Sequence, residues 1–153
     1  MGRAVLIVAA CALLSCAAAT AAATPASYRA QVNAICRAYT PLIKKEMAAA
    51  TKAKAARDTN ALGTALGHIV ALGVDQDRRI ESVAVPTALQ AQMTPIIAAL
   101  KQIDAHAMRA VALAGAGDGQ GAYAELNAAA ALSPPLRAQF DAAGLRDCGS
   151  NQR

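Results

Sequence analysis

Between Ser27 and Ala56 the apolar residues recur with the period of a helix and not of a strand. At about 100° per residue, Tyr28, Val32, Ile35, Cys36, Tyr39, Leu42 and Ile43 fall within an arc of roughly 120°. A stripe of that width has to be covered by other chain. Arg29, Arg37, Lys44, Lys45 and Lys52 fall on the opposite side, where long stems lie along the helix and charges stay in water. Pro41 lacks a backbone donor and crowds the preceding turn, so a kink or short break is expected there, with Thr40 able to cap a helix that restarts at Pro41.

The remainder repeats the pattern three times. Asp58, Thr59 and Asn60 are N-cap candidates for a second helix, whose residues Leu62, Leu66, Ile69, Val70, Gly73, Ile80 and Val83 share one face. His68, Asp75 and Arg79 lie on its other face, and the run Asp75 to Glu81, with Arg78 and Arg79 interspersed, reads as ordinary surface ion pairing. Val85-Pro86 ends this helix, because the residue before a proline resists helical geometry. Thr87 and Gln90 form a capping-box pattern for a third helix striped by Met93, Ile96, Leu100, Ile103, Ala107, Val111 and Ala114, with a slight bend at Pro95. The glycines between Gly115 and Gly121 predict a loop, and without the lysine and hydroxyl of a phosphate loop it is not a nucleotide site. A fourth helix runs through Tyr123, Leu126 and Ala130, is broken or restarted at Ser133-Pro134-Pro135, and continues through Leu136 and Phe140 to a left-handed cap at Gly144, with Leu145 folding back. Short connections make the fold class all-α, an antiparallel up-down-up-down four-helix bundle with proline kinks. It comprises a single domain over residues 24–149, followed by a tail over 150–153.

Hydrophobic residues make up 56% of the chain, but many are alanine, with three Tyr, one Phe and no Trp. Alanine favours helix yet buries little area, so the core is thin and the helices close together, which argues against a large internal ligand cavity. A covalent brace then matters more. Residues 1–23 read as a secretory signal: Arg3 precedes an apolar run too short to span a bilayer, followed by small residues. Two ends are open, a lipobox-like Leu13-Leu14-Ser15-Cys16 that would acylate Cys16, or an A-x-A site at Ala21 to Ala23 that would free a chain starting at Thr24. In either case Cys36 and Cys148 remain, and in an exported chain such a pair is most simply a disulfide. The bundle topology agrees, since it brings the end of the fourth helix beside the start of the first.

The segment from Arg29 to Arg57 holds seven basic residues against one acid, Glu46, whereas the rest of the mature chain is slightly acidic. Such a face suits an anionic envelope polymer, lipid headgroups or an envelope protein. Nucleic acid is not expected, because no aromatic residues interleave with the cations on the basic face to stack bases. His68 and His106 fall on or beside polar faces of different helices without enough further ligands to imply a metal, and no cofactor motif is present. No catalytic constellation emerges, so the chain reads as a non-enzymatic interaction protein, with a small carrier of an apolar ligand as the alternative.

The segment Tyr28-Arg29-Ala30-Gln31-Val32-Asn33-Ala34-Ile35-Cys36-Arg37, the Pro86-led third helix, Ala114 to Asp118, and Gly144-Leu145-Arg146-Asp147-Cys148-Gly149 together resemble small exported helical proteins, described as lipoproteins, of high-GC Gram-positive bacteria. That resemblance implies the signal, the bundle and the cysteine pair. It carries over no catalytic residues.

Overall fold

The computed structural model describes residues 23–152, so the signal assigned to residues 1–23, Ala23 apart, and the acylation of Cys16 lie outside the described residues. Within them the chain forms four helices and no strand: α1 (Pro25–Ala56), α2 (Thr59–Ser82), α3 (Gln90–Gly115) and α4 (Gly119–Ala142), with short 3-10 turns at Thr87–Leu89 and Ser150–Gln152.

Each boundary has a local cause. Thr24 and Ser27 form a reciprocal capping box ahead of α1, and Arg57 ends it in the left-handed region at φ 57°. Asp58 caps α2 by accepting from the Ala61 amide at 2.9 Å, and Asp118 caps α4 by accepting from Gly121 at 2.8 Å. Beyond the last residue of α4 the chain turns at Gly144, φ 78°, where the Leu145 amide reaches back to the Phe140 carbonyl at 2.8 Å and Leu145 is fully buried. A side chain at Gly144 would also press on the Arg29 guanidinium stem at about 3.0 Å.

Several local expectations are corrected. α1 runs through Pro41 without a break, and Thr40 caps nothing; its hydroxyl donates back to the Cys36 carbonyl at 2.8 Å. α4 likewise runs through Pro134 and Pro135, with Ser133 donating to Ala129. In both helices packing of the flanking apolar residues outweighs the missing amide bonds. The Thr87 to Gln90 capping box does not form, because a 3-10 turn feeds straight into α3. The glycine loop shrinks to Ala116–Asp118, as α3 extends through Gly115 and α4 begins at Gly119.

The helices pack as two antiparallel hairpins, α1 with α2 and α3 with α4, and α2 meets α3 much more sparingly. Their apolar core lies at one end. Tyr28, Val32 and Cys36 of α1, Ile80 of α2, Met93, Ile96 and Leu100 of α3, and Leu136 and Phe140 of α4 close around Leu145 and Cys148. The segment after α4, more than the helix itself, is what grips α1. Cys36 and Cys148 form the disulfide across a Cα–Cα distance of 5.2 Å, Arg29 donates to the Ala143 carbonyl at 2.7 Å, Asn33 brackets Gly144 and Asp147, and Arg37 pairs with Asp147. Ser150 donates to Asp141, which ties the last turn to α4.

Replacing both cysteines by serine releases a loop of sequence separation 112, and the chain-entropy argument places the loss at about 3–5 kcal/mol. Urea unfolding of the double variant beside the wild type checks this, with a midpoint within error of the wild type as the contrary result.

Candidate functional site

Two features stand out once the hairpins are placed, and both lie along the seam between α2 and α3. The first is polar. Asp77 is only 9% exposed and meets the partly exposed Asp104, bringing a carboxyl from each hairpin together at the seam. Burial first, then the charge of Asp104 and a hydrogen bond with it, and finally Glu81, push Asp77 up to about 8. At neutral pH it therefore keeps its proton and donates to Asp104. Asp104 is itself raised by burial, an effect opposed by that hydrogen bond and by Arg78. Beside the pair is a small cavity of about 150 Å³, lined by Gln76, Asp77, Ser133 and Arg137 together with core side chains and Cys148. Gln76 is 6% exposed and sets its amide 3.2 Å from the Cys36 sulfur.

The second feature is apolar. Beyond the carboxyl pair the hairpin tips stand apart, leaving a cleft of about 700 Å³ walled by Leu62, Leu66 and Val70 of α2 and by Val111, Tyr123 and Leu126 of α3 and α4. Gly63, Gly67, Gly115, Gly117 and Gly119 also border it, so little side-chain volume fills the space. Leu66, Val111 and Tyr123 remain 38%, 48% and 68% exposed on its rim, an apolar surface that a closed bundle would have buried. A neighbouring recess of about 410 Å³ shares Gly67, Val70 and Val111 with the cleft and continues down the seam to Arg78 and Met108. The cleft is open to solvent and is not the internal cavity that small side chains argue against: alanine and glycine let the paired helices within a hairpin approach, but supply too little volume to fill the gap between hairpins.

The predicted basic face divides into two parts. Arg29 and Arg37 hold the C-terminal segment, while Lys44, Lys45 and Lys52 are exposed farther along α1. His68 sits with Glu46 at 3.1 Å across α1 and α2, and His106 is half-buried against Glu125 at 2.6 Å across α3 and α4, so each bridges the two helices of one hairpin. Tyr39 pairs with Asp75, and Arg79 lies over the Tyr39 ring at 5.7 Å. Among the described residues no group of three or more His, Cys, Asp or Glu side chains is disposed to hold a metal ion, and no helix among them is long and apolar enough to cross a membrane.

Asp77 corrects the surface-pairing expectation for Asp75 to Glu81. At helical spacing it lies three residues before Ile80 and seven after Val70, inside the apolar stripe and away from Asp75 and Arg79. That position was the available signal, obscured by the charged neighbours on both sides.

Scans of this chain against protein-family models, curated proteins and solved structures find no match.

The folded chain holds the Asp77 proton to a higher pH than the unfolded chain does, so this group favours the fold at low pH and costs stability as pH rises from about 4 to about 8. Asp75, Glu125 and Asp147 act oppositely: hydrogen bonds to Tyr39, His106 and Asn151 lower their pKa values, and their contributions fade in stronger acid. Melting temperature should therefore peak in mild acid. Asp77→Asn should melt above the wild type at pH 9, by several degrees for each kcal/mol relieved, and close to it near pH 4. A variant that melts below the wild type at pH 9 would contradict the assignment.

Proposed function

We propose that this chain is an exported, non-enzymatic binding protein that takes an apolar ligand, or the apolar chain of a larger one, between the tips of its two hairpins. The observation that carries the reading is the cleft of about 700 Å³ with exposed Leu66, Val111 and Tyr123 on its rim, within the size range of small-molecule sites of about 300–1,000 Å³. Leaving such side chains in water forgoes burial worth roughly 25 cal/mol per Å². An apolar occupant recovers that stabilisation. The disulfide and the signal-like N-terminus support an extracytoplasmic site of action, since such bridges persist in oxidising compartments. Acylation at Cys16, or release after Ala23, belongs to the same proposal, as does membership of the small exported helical proteins of high-GC Gram-positive bacteria.

A second reading, contact of α1 with an anionic envelope polymer, lipid headgroups or an envelope protein, is favoured by exposed Lys45 and Lys52, which make no ion pair among the described residues. It concerns a different face and is compatible with ligand binding in the cleft. Charge reversal at Lys45 and Lys52 would abolish salt-sensitive retention on anionic vesicles if that face is used; retention unchanged by the reversal would dismiss it.

The cleft is tested with phenylnaphthylamine, an uncharged dye that brightens in apolar surroundings. The protein should bind it saturably, and Val111→Asp or Leu66→Asp should weaken binding about tenfold or more, because a carboxylate is costly in an apolar site. The circular dichroism spectrum should stay helical. No saturable brightening, or equal binding by both variants, would remove the proposal.

A further inference from the structure

The carboxyl pair occupies a position along the seam that the cleft alone does not explain. On α2 the order from the tip is Thr59 to Val70 on the cleft, then Asp77, then Ile80 in the core. On α3 the order from the core is Met93 to Leu100, then Asp104, then Ala110 to Gly115 on the cleft. Asp77 and Asp104 therefore meet where the joined ends of the hairpins give way to the parted ends. Any tilt of one hairpin against the other turns about the core, where apolar packing and the disulfide join the hairpins, and the carboxyl pair lies just on the cleft side of that pivot.

We propose that the Asp77–Asp104 pair is a proton-operated hinge that sets how widely the hairpin tips part, and so regulates entry to the apolar cleft. Its effect on ligand rests on the binding function argued above; the movement itself does not.

With the proton present, Asp77 donates to Asp104 and the pair clasps α2 to α3. When the proton leaves to solvent, two carboxylates face each other, that of Asp77 buried and that of Asp104 partly so, and like charges so placed repel. The surrounding groups set the balance. On α2, Glu81 adds negative charge and Arg78 offsets it. On α3, Lys101 is drawn to Glu81 at 3.6 Å. On α4, Arg137 lines the small polar cavity beside Asp77, and on α1 Tyr39 is held by Asp75. The seam can yield because α2 and α3 touch sparingly compared with the helices within each hairpin. Leverage enlarges the response: 18 residues separate Asp77 from Thr59, about 27 Å of helix, so a tilt of about 5° moves the tip by about 2 Å.

The test uses the full disulfide-bonded chain carrying spin labels on acetylphenylalanine at exposed positions 61 and 124, one on each hairpin tip. The distance between the labels should lengthen by about 2 Å or more as pH rises from 6 to 9.5, with a one-proton midpoint near 8. Asp77→Asn should abolish the change, and Asp104→Asn should do the same if the first variant folds poorly. Glu81→Gln should lower the midpoint and keep the amplitude. Phenylnaphthylamine titrations on the same samples separate the two claims. Dye binding with a label distance indifferent to pH, or a pH response that survives both asparagine variants, overturns the hinge. A pH-dependent distance without dye binding at either pH retains the hinge and removes the apolar-ligand reading.

Discussion

The covalent and polar clasp between the end of the chain and the first half of α1 is the interaction on which the rest of the structure depends. A chain with one phenylalanine and no tryptophan has little apolar area to bury. What it has is concentrated around Cys36, Cys148 and Leu145 at one end of the helices. The disulfide limits the freedom of the unfolded chain where burial is otherwise too weak to define the arrangement. Arg29, Asn33 and Arg37 then aim the C-terminal segment at the same stretch of α1 through bonds to Ala143, Gly144 and Asp147. Part of the basic face is thereby structural, leaving Lys44, Lys45 and Lys52 as its outward section.

Concentrating the core at one end leaves the other end underfilled. Within each hairpin the helices are held by close packing and by polar bridges, His68 to Glu46 in one and His106 with Arg109 to Glu125 in the other. Among the described residues the apolar core reaches along the seam to Ile80 of α2 and to Leu100 and Ile103 of α3, and the seam then passes from core to carboxyl pair to cleft. A carboxyl pair with one member buried is a weak way to join two helices, since it needs a proton to hold. That weakness suits a joint required to move. A closed bundle would more simply have placed leucine at both positions.

Much of the fold was legible in residue spacing. Four helices, the antiparallel order, the cysteine pair and the turn at Gly144 followed from stripes, caps and topology, and the structure has them. The errors were local and shared a cause. A kink or short break at Pro41, a break or restart at Pro134 and Pro135, and a loop over the glycines after Ala114 are what an isolated helix would favour, whereas α1 and α4 are continuous and the loop is short. Packing against a partner helix supplied what local propensity lacked. The candidate site was harder to read: Asp77 lay within the apolar stripe of α2, but flanked by Asp75, Arg78, Arg79 and Glu81 it passed for one more surface charge.

The sequence by itself determined that there are four helices and which face of each carries the apolar stripe, because periodicity and capping act over a few residues and need no knowledge of neighbours. It also determined that one bridge was available to close the chain. Only the tertiary structure decided that the four helices group into two hairpins, that Asp77 meets Asp104 and that the tips stand apart. Those outcomes depend on how side-chain volume is distributed along helices in contact, and contacts between residues far apart in the chain leave no periodic mark in either segment.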